Sequence, residues 1–215
     1  MSHRSKFPAL ILAVSALALI LSAPGLAPAA RAQGSDWSIT FGSGFAKPEG
    51  GAFGAVWKRG TPIVLAMAGQ MSTHFELGGE FGFVKFKPDR DSTLIPGVRG
   101  GDTDWEMWRI RLRARRFLVS PDAKLAPFIM AGLGIYPISA QSSDSTGTLK
   151  VTQTANGVSI GGGADFRAGD AVGFGLEGQY HYIRTNREVL GYKASPVLEV
   201  LFVIRWIPGG GAAGS

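Results

Sequence analysis

The chain has 215 residues, no cysteine, 31 glycines and 12 prolines, and its 22 basic and 16 acidic side chains give a formal charge of +6. That length suits one domain better than two, and the lack of cysteine excludes a disulfide framework or a cysteine-built zinc site. The basic excess does not point to nucleic acid: its densest run, Arg109 to Arg115, falls on one face of an alternating segment rather than on a stripe with stacking aromatics.

Arg4 and Lys6 precede the apolar run Phe7 to Ala23, and small residues fill Leu26 to Ala32. Basic, apolar and small-residue regions in that order are a secretion signal, expected here over residues 1–32. Cleavage is expected after Ala32, with Ala29 as the alternative. An uncleaved anchor fits less well, since Pro8 and the serines shorten the run below the ~20 residues of a spanning helix. Removing the leader takes Arg4, Lys6 and Arg31 and no acid, which lowers the charge from +6 to +3. No second run of that length follows, so a membrane could be entered only as a closed barrel, in which every backbone group is paired sideways.

Eight alternating segments follow. The first, about Asp36 to Ala46, sets Trp37, Ile39, Phe41 and Phe45 against Ser38, Thr40, Gly42 and Gly44. The second, about Val56 to Gln70, is apolar on both faces and leaves its orientation open. In the third, Phe75, Leu77, Phe81 and Phe83 alternate with Glu76, Gly78, Glu80 and Gly82. The fourth, about Asp104 to Val119, carries Arg109, Arg111, Arg113 and Arg115 at a period of two, and therefore on one face. The fifth, about Leu125 to Ser139, is again ambiguous. The sixth ends with Ser159, Gly161, Gly163, Asp165 and Arg167 on one parity. The seventh, about Ala171 to Thr185, opposes Val172, Phe174, Leu176, Tyr180 and Tyr182 to Glu177, Gln179 and His181. The eighth, about Pro196 to Ile207, opposes Leu198, Val200, Phe202, Ile204 and Trp206 to Glu199 and Arg205.

Connectors after the second, fourth and sixth segments are tight; the others, at 46–58, 87–104, 139–148 and 186–196, are long and rich in Gly, Pro, Asp and Ser. Short turns on the periplasmic side and long loops outside are the pattern of outer-membrane barrels. The expected fold is an all-β, eight-stranded, antiparallel, up-and-down transmembrane barrel over residues 33–208, with a Gly-rich tail at 209–215 and both termini periplasmic.

The Pro127 to Gly134 strand, the Gly162-Gly163-Ala164-Asp165-Phe166 strand end before a tight turn, and Gly175 to Tyr182 together resemble the small eight-stranded outer-membrane barrels of the OmpA, OmpX and opacity-protein type, often described as porin-family proteins. The resemblance covers Trp37 to Trp206. It implies outer-membrane lipid and lipopolysaccharide as surroundings, recognition of Phe202, Ile204 and Trp206 by the insertion machinery, and a monomer. Members of this type usually end in an aromatic residue; here eight residues follow Ile207.

An eight-stranded interior is just wide enough for side chains to fill. Arg109, Arg111, Arg113 and Arg115 are therefore expected to meet Glu76, Glu80, Glu177 and Glu199 in a salt-bridged plug, with Asp165 also within reach. Removal of Arg111 would cost about 3–5 kcal/mol if its partner were left unpaired. The alternative for the arginines is an anion or lipid-phosphate site. His181, with Tyr180, Tyr182 and Arg184 nearby, raises a lipid A modifying activity at the outer rim, but the serine that the deacylases of this type place two residues after their histidine is Ile183 here. His74 reads as a turn residue, and two scattered histidines make no metal site. Gly173-x-Gly175-x-x-Gly178 matches a dinucleotide fingerprint only formally, since no helix follows; these glycines instead leave room for bulky lumen side chains or allow curvature. Trp37, Trp105, Trp108, Tyr136 and Trp206 are expected in interfacial girdles, and Trp57, in the first loop, could offer a sugar platform. The expected role is structural or surface-interacting through the loops, with no catalysis, no cofactor and an unidentified loop ligand. A passive channel or apolar-ligand transporter is the alternative, and a soluble, lipocalin-like barrel would need the apolar face inward.

Overall fold

The computed structural model describes residues 37–88, 102–144, 147–185 and 193–208. The strands are β1 Trp37–Pro48, β2 Thr61–Ser72, β3 Phe75–Phe86, β4 Asp102–Phe117, β5 Leu125–Asp144, β6 Gly147–Arg167, β7 Val172–Arg184 and β8 Val197–Trp206, with a short helix, α1, at Gly51–Val56. Each strand pairs antiparallel with its sequence neighbours, and β1 closes the barrel on β8 through the register Ile39↔Trp206 to Pro48↔Val197. The leader and the Gly-rich tail lie outside the described residues.

Alternation along each strand sorts side chains to the two faces of the wall. Strand β2, ambiguous by itself, is oriented by its partners: Leu65 lies beside Phe41 of β1 and Phe81 of β3, all three exposed, while Val64, Ala66 and Ala68 are buried. On β5 Leu125, Ile129, Leu133 and Ile135 face out, and Ala126, Phe128, Met130 and Tyr136 face in. The exterior is thus apolar and the interior charged, the reverse of a lipocalin-like arrangement. Among the described residues no helix is long and apolar enough to cross a membrane; an apolar wall on a closed sheet, whose backbone groups pair sideways, is what lipid accepts.

Trp37 and Trp206 meet edge to face at 6.0 Å at one end of the barrel. The start of β1, the end of β8 and the tight connectors at 73–74, 118–124 and 168–171 share this terminal end. The opposite end, the loop end, carries α1 and the last pair of the β5–β6 ladder, Asp144↔Gly147.

Several expectations are corrected. Residues 139–144 and 147–148 are not a loop: β5 and β6 continue as a ladder to Asp144↔Gly147, and 145–146 lie outside the described residues. Val151, Thr152 and Thr154 favour extended backbone, but the polar residues around them give no apolar face of the kind that marks a strand in the sequence. Val56 belongs to α1, so β2 begins at Thr61. Trp105 and Tyr136 are buried in the barrel rather than set in a girdle, and Trp57 is buried too. Trp105 shares the parity of Arg109, which already placed it inside. Residues 89–101 and 186–192, from two of the expected long loops, lie outside the described residues.

Candidate functional site: the charged lumen

Five arginines and five carboxylates are buried among the described residues: Arg109, Arg111, Arg113, Arg115 and Arg205 against Glu76, Glu80, Asp165, Glu177 and Glu199. With His181 neutral the lumen carries no net charge. Two neighbouring strands make this possible. The register sets Glu76, Gly78, Glu80 and Gly82 of β3 opposite Arg115, Arg113, Arg111 and Arg109 of β4, while Gly134 and Gly132 of β5 face Arg111 and Arg113 from the other side. A Cβ on Gly82 would stand 2.5 Å from Arg109 Nε, and one on Gly134 2.5 Å from Arg111 Cβ. Glycine in these rows leaves the guanidinium stems their space.

Glu80 is the hub. Its carboxylate accepts from Arg109 Nε at 2.8 Å, Arg111 Nε at 2.7 Å, Arg111 Nη2 at 2.5 Å and Arg113 Nη1 at 3.0 Å. Toward the loop end Arg109 also grips Glu199 of β8 with two parallel bonds of 2.6 Å, the bidentate geometry in which a guanidinium binds a carboxylate best. Arg111 reaches neutral partners, donating to Ser159 Oγ at 2.6 Å and to Gln179 Oε1. Gln179 in turn donates to Glu177 at 3.0 Å.

Nearer the terminal end Arg115 pairs with Glu177 and with Asp165 at 3.3 Å. Arg205 pairs with Glu76 and with Asp165 at 3.0 Å. Glu76 thus does not join its cross-strand neighbour Arg115, because the β8 guanidinium crosses the lumen to it. Sequence reasoning left Arg205 out of the network, although it shares the two-residue period of Glu199; Ser159 and Gln179 were likewise legible from the parity of Asp165 and Glu177.

Apolar layers lie at both ends of the charged column. At the terminal end Phe117, Ala126, Phe128 and Met130 form a floor. The Arg115 guanidinium lies over the Phe128 ring at 4.4 Å and that of Arg205 over Phe117 at 5.6 Å, a favourable placement of cation on aromatic face. At the loop end α1 drops Phe53 and the following Trp57 onto Trp105, with ring centroids 5.0 and 6.3 Å away. Phe86, Met107, Ile138, Ile183 and Val197 complete this cap.

His181 lies below the cap, fully buried, with Nδ1 at 3.2 Å from the Tyr136 hydroxyl and Nε2 at 3.9 Å from Glu199. The register places Ser159 opposite His181, a serine that the sequence reading did not weigh. Its hydroxyl is engaged by Arg111, and both residues are enclosed. The glycine fingerprint at Gly173 to Gly178 sits inside β7, and a Cβ on Gly175 would stand 2.5 Å from Asp165 Oδ1, so there the lumen occupies the space. On the outside Phe202, Ile204 and Trp206 face outward along β8 and Trp108 packs on Phe81 and Phe83.

A family model described as outer membrane protein beta-barrel domain matches residues 13–196. Among solved structures, neisserial surface protein A is 16% identical over 81% of this chain and 99% of its own, with a TM-score of 0.60. A major outer membrane protein from Thermus thermophilus is 12% identical over 81% of this chain and 100% of its own, with a TM-score of 0.53. At such identities the likeness is one of fold. Comparison with curated protein sequences finds no match.

Proposed function

Since the chain belongs to the outer membrane protein β-barrel family, and with it to the bacterial outer membrane, we propose that it is a closed, non-conducting barrel whose lumen serves stability and whose loop end meets the exterior. One observation carries this reading: a charge-balanced ion-pair column fills the lumen between an aromatic floor and the cap built by α1. Such charges are tolerated only when paired, and here they pair with one another instead of lining a water path. In this reading the termini are periplasmic, with the turns at 73–74, 118–124 and 168–171 on the periplasmic side. Phe202, Ile204 and Trp206 are the outward alternation that the insertion machinery reads, and outer-membrane lipid with its lipopolysaccharide covers the wall. The protein works as a monomer without cofactor, and any surface partner meets the loop end.

The test is planar-bilayer recording of refolded protein. The expected result is no steady conductance; a stable ohmic channel from the heat-modifiable, folded form would refute the reading and favour the passive channel. Enzymatic action on lipid A is disfavoured by the enclosure of His181 and Ser159, and lipid mass spectra of expressing cells should be unchanged.

A further inference from the structure

Two buried indoles in the cap stand apart from the charged column. Trp57 and Trp105 are 6% and 1% exposed, their ring centroids are 6.3 Å apart, and the Nε1 donor of each has no hydrogen-bond partner among the described residues. A buried N–H without an acceptor is unfavourable, and here two belong to one apolar cluster. Trp105 is also the centre of an aromatic box. Phe86 closes one side of it at 5.2 Å, Trp57 another, and Phe53 of α1 lies against the Trp105 ring at 5.0 Å.

The aromatic neighbours of Trp105 are not held alike. Phe86 lies on β3, and Trp57 is bridged to Pro88 with Lys58 N donating to Lys87 O at 2.8 Å, so both are fixed to the barrel. Phe53 sits on a helix of 6 residues, far below the length at which a helix is stable by itself. α1 has no capping side chain, no acidic residue in its first turn and no basic residue in its last, so neither a cap nor the helix dipole supports it. Gly50, at φ +76°, joins it to β1, and glycine is the residue that changes φ at least cost. Just before that point Glu49 N donates to Pro196 O at 2.9 Å, and the Ala46–Gly60 pair closes the base of the segment. These anchors confine movement to Gly50–Val56, which carries Phe53 and leaves Trp57 in place.

We propose that Phe53 is an internal stand-in, and that the box of Trp57, Trp105 and Phe86 binds a small neutral aromatic molecule bearing a hydrogen-bond acceptor. The ligand enters at the loop end and replaces the Phe53 ring. Its advantage over Phe53 is differential: it restores the ring contact on Trp105 and also gives the indole donors the acceptor that a phenyl ring lacks. A charge would be out of place, because Arg109 beneath is already held by Glu80 and Glu199 and a buried unpaired ion is costly. The column below stays shut, so the site holds its ligand without passing it through. This rests on the proposed closed barrel with its loop end outward.

The experiment is a titration of the folded full-length barrel in detergent with acetophenone, which has ring and carbonyl, ethylbenzene, which lacks the acceptor, and cyclohexyl methyl ketone, which lacks the aromatic ring. Saturable binding beyond partition into empty micelles is read by equilibrium dialysis. Acetophenone should saturate at a single equivalent, about tenfold tighter than ethylbenzene and about fivefold tighter than the ketone. Trp105→Phe keeps a ring and removes the donor: it should weaken acetophenone about fivefold and leave ethylbenzene unchanged. Phe53→Ala should tighten acetophenone about tenfold by removing the competing ring, and the ligand should raise the urea midpoint of that variant more than that of the parent. Equal affinities for acetophenone and ethylbenzene, or an unaltered preference in Trp105→Phe, would remove the indole donors from recognition and overturn the proposal. Weaker binding in Phe53→Ala would make Phe53 part of the wall rather than a stand-in, and would overturn it as well. If Phe53→Ala fails to fold, Trp105→Phe and the three-probe comparison decide the matter. A barrel that conducts but binds in this manner would refute the closed-lumen reading alone, and a non-conducting barrel without saturable acetophenone binding would refute this site alone.

Discussion

Replacing Glu80 by Gln keeps the shape of the hub and removes its charge, leaving the lumen with five arginines and four carboxylates. The damage is not shared equally among the three guanidinium groups. Arg109 retains its two 2.6 Å bonds to Glu199, and Arg113 retains Glu177 at 3.6 Å. Arg111 keeps only Ser159 and Gln179, both neutral, and becomes a buried cation without a counter-charge. Removing one member of a buried pair in this way costs about 3–5 kcal/mol. With a urea slope of about 2 kcal/mol/M, the unfolding midpoint should fall by roughly 2 M. The assay is urea unfolding of the barrel in lipid vesicles, read as the folded band on unboiled gels. A loss below about 0.5 kcal/mol, the ordinary range of surface substitutions, would refute the account of Glu80 as the hub. Arg111→Ala should be milder, about 2 kcal/mol, because Glu80 keeps Arg109 and Arg113. The larger figure from the sequence applied if the partner were left unpaired; the structure shows a carboxylate with two further arginines.

A pair of adjacent glycines offers an internal control: a Cβ on Gly78 would run into Met67 O and stand 2.6 Å from Ala68 Cα, whereas one on Gly79 meets nothing within 4 Å. Gly78→Ala should therefore impair folding into vesicles, with a markedly smaller heat-modifiable fraction, while Gly79→Ala should match the parent. Phe53→Ala removes the side chain that α1 inserts into the cap and should cost about 3–5 kcal/mol in the same urea assay; an unchanged midpoint would mean that α1 merely rests on the barrel.

The fold was legible because a barrel in lipid sorts side chains by a rule with period two, and one apolar face on β1, β3, β7 and β8 suffices to show it. The rule failed where the sorting force is absent or ambiguous. On β2 and β5 both faces are apolar in sequence, and only pairing with Phe41, Phe81 and Leu112 says which one meets lipid. From Gln141 to Thr154 the sequence is mostly polar on both parities, so no apolar face marked it and a ladder read as a loop. Trp105 was misplaced when residue type was weighed above parity, and Tyr136 because both faces of β5 are apolar in sequence and leave its orientation open.

The charged interior divides in the same manner. That Arg109, Arg111, Arg113 and Arg115 share a face, with acids on the strands around them, follows from spacing along the chain. Which acid each arginine meets does not, because pairing across a lumen depends on shear and on side-chain reach from opposite walls. Thus Glu76, the cross-strand neighbour of Arg115, is taken by Arg205 from β8. Equally, no local signal announces that a six-residue helix turns Phe53 inward to close the lumen over Trp105. Alternation, and with it the two faces of the wall, is written into the order of residues, since lipid and lumen act on each strand separately. Partners, cap and the aromatic box within it waited for the closed barrel, because only closure brings residues from distant strands to a common height.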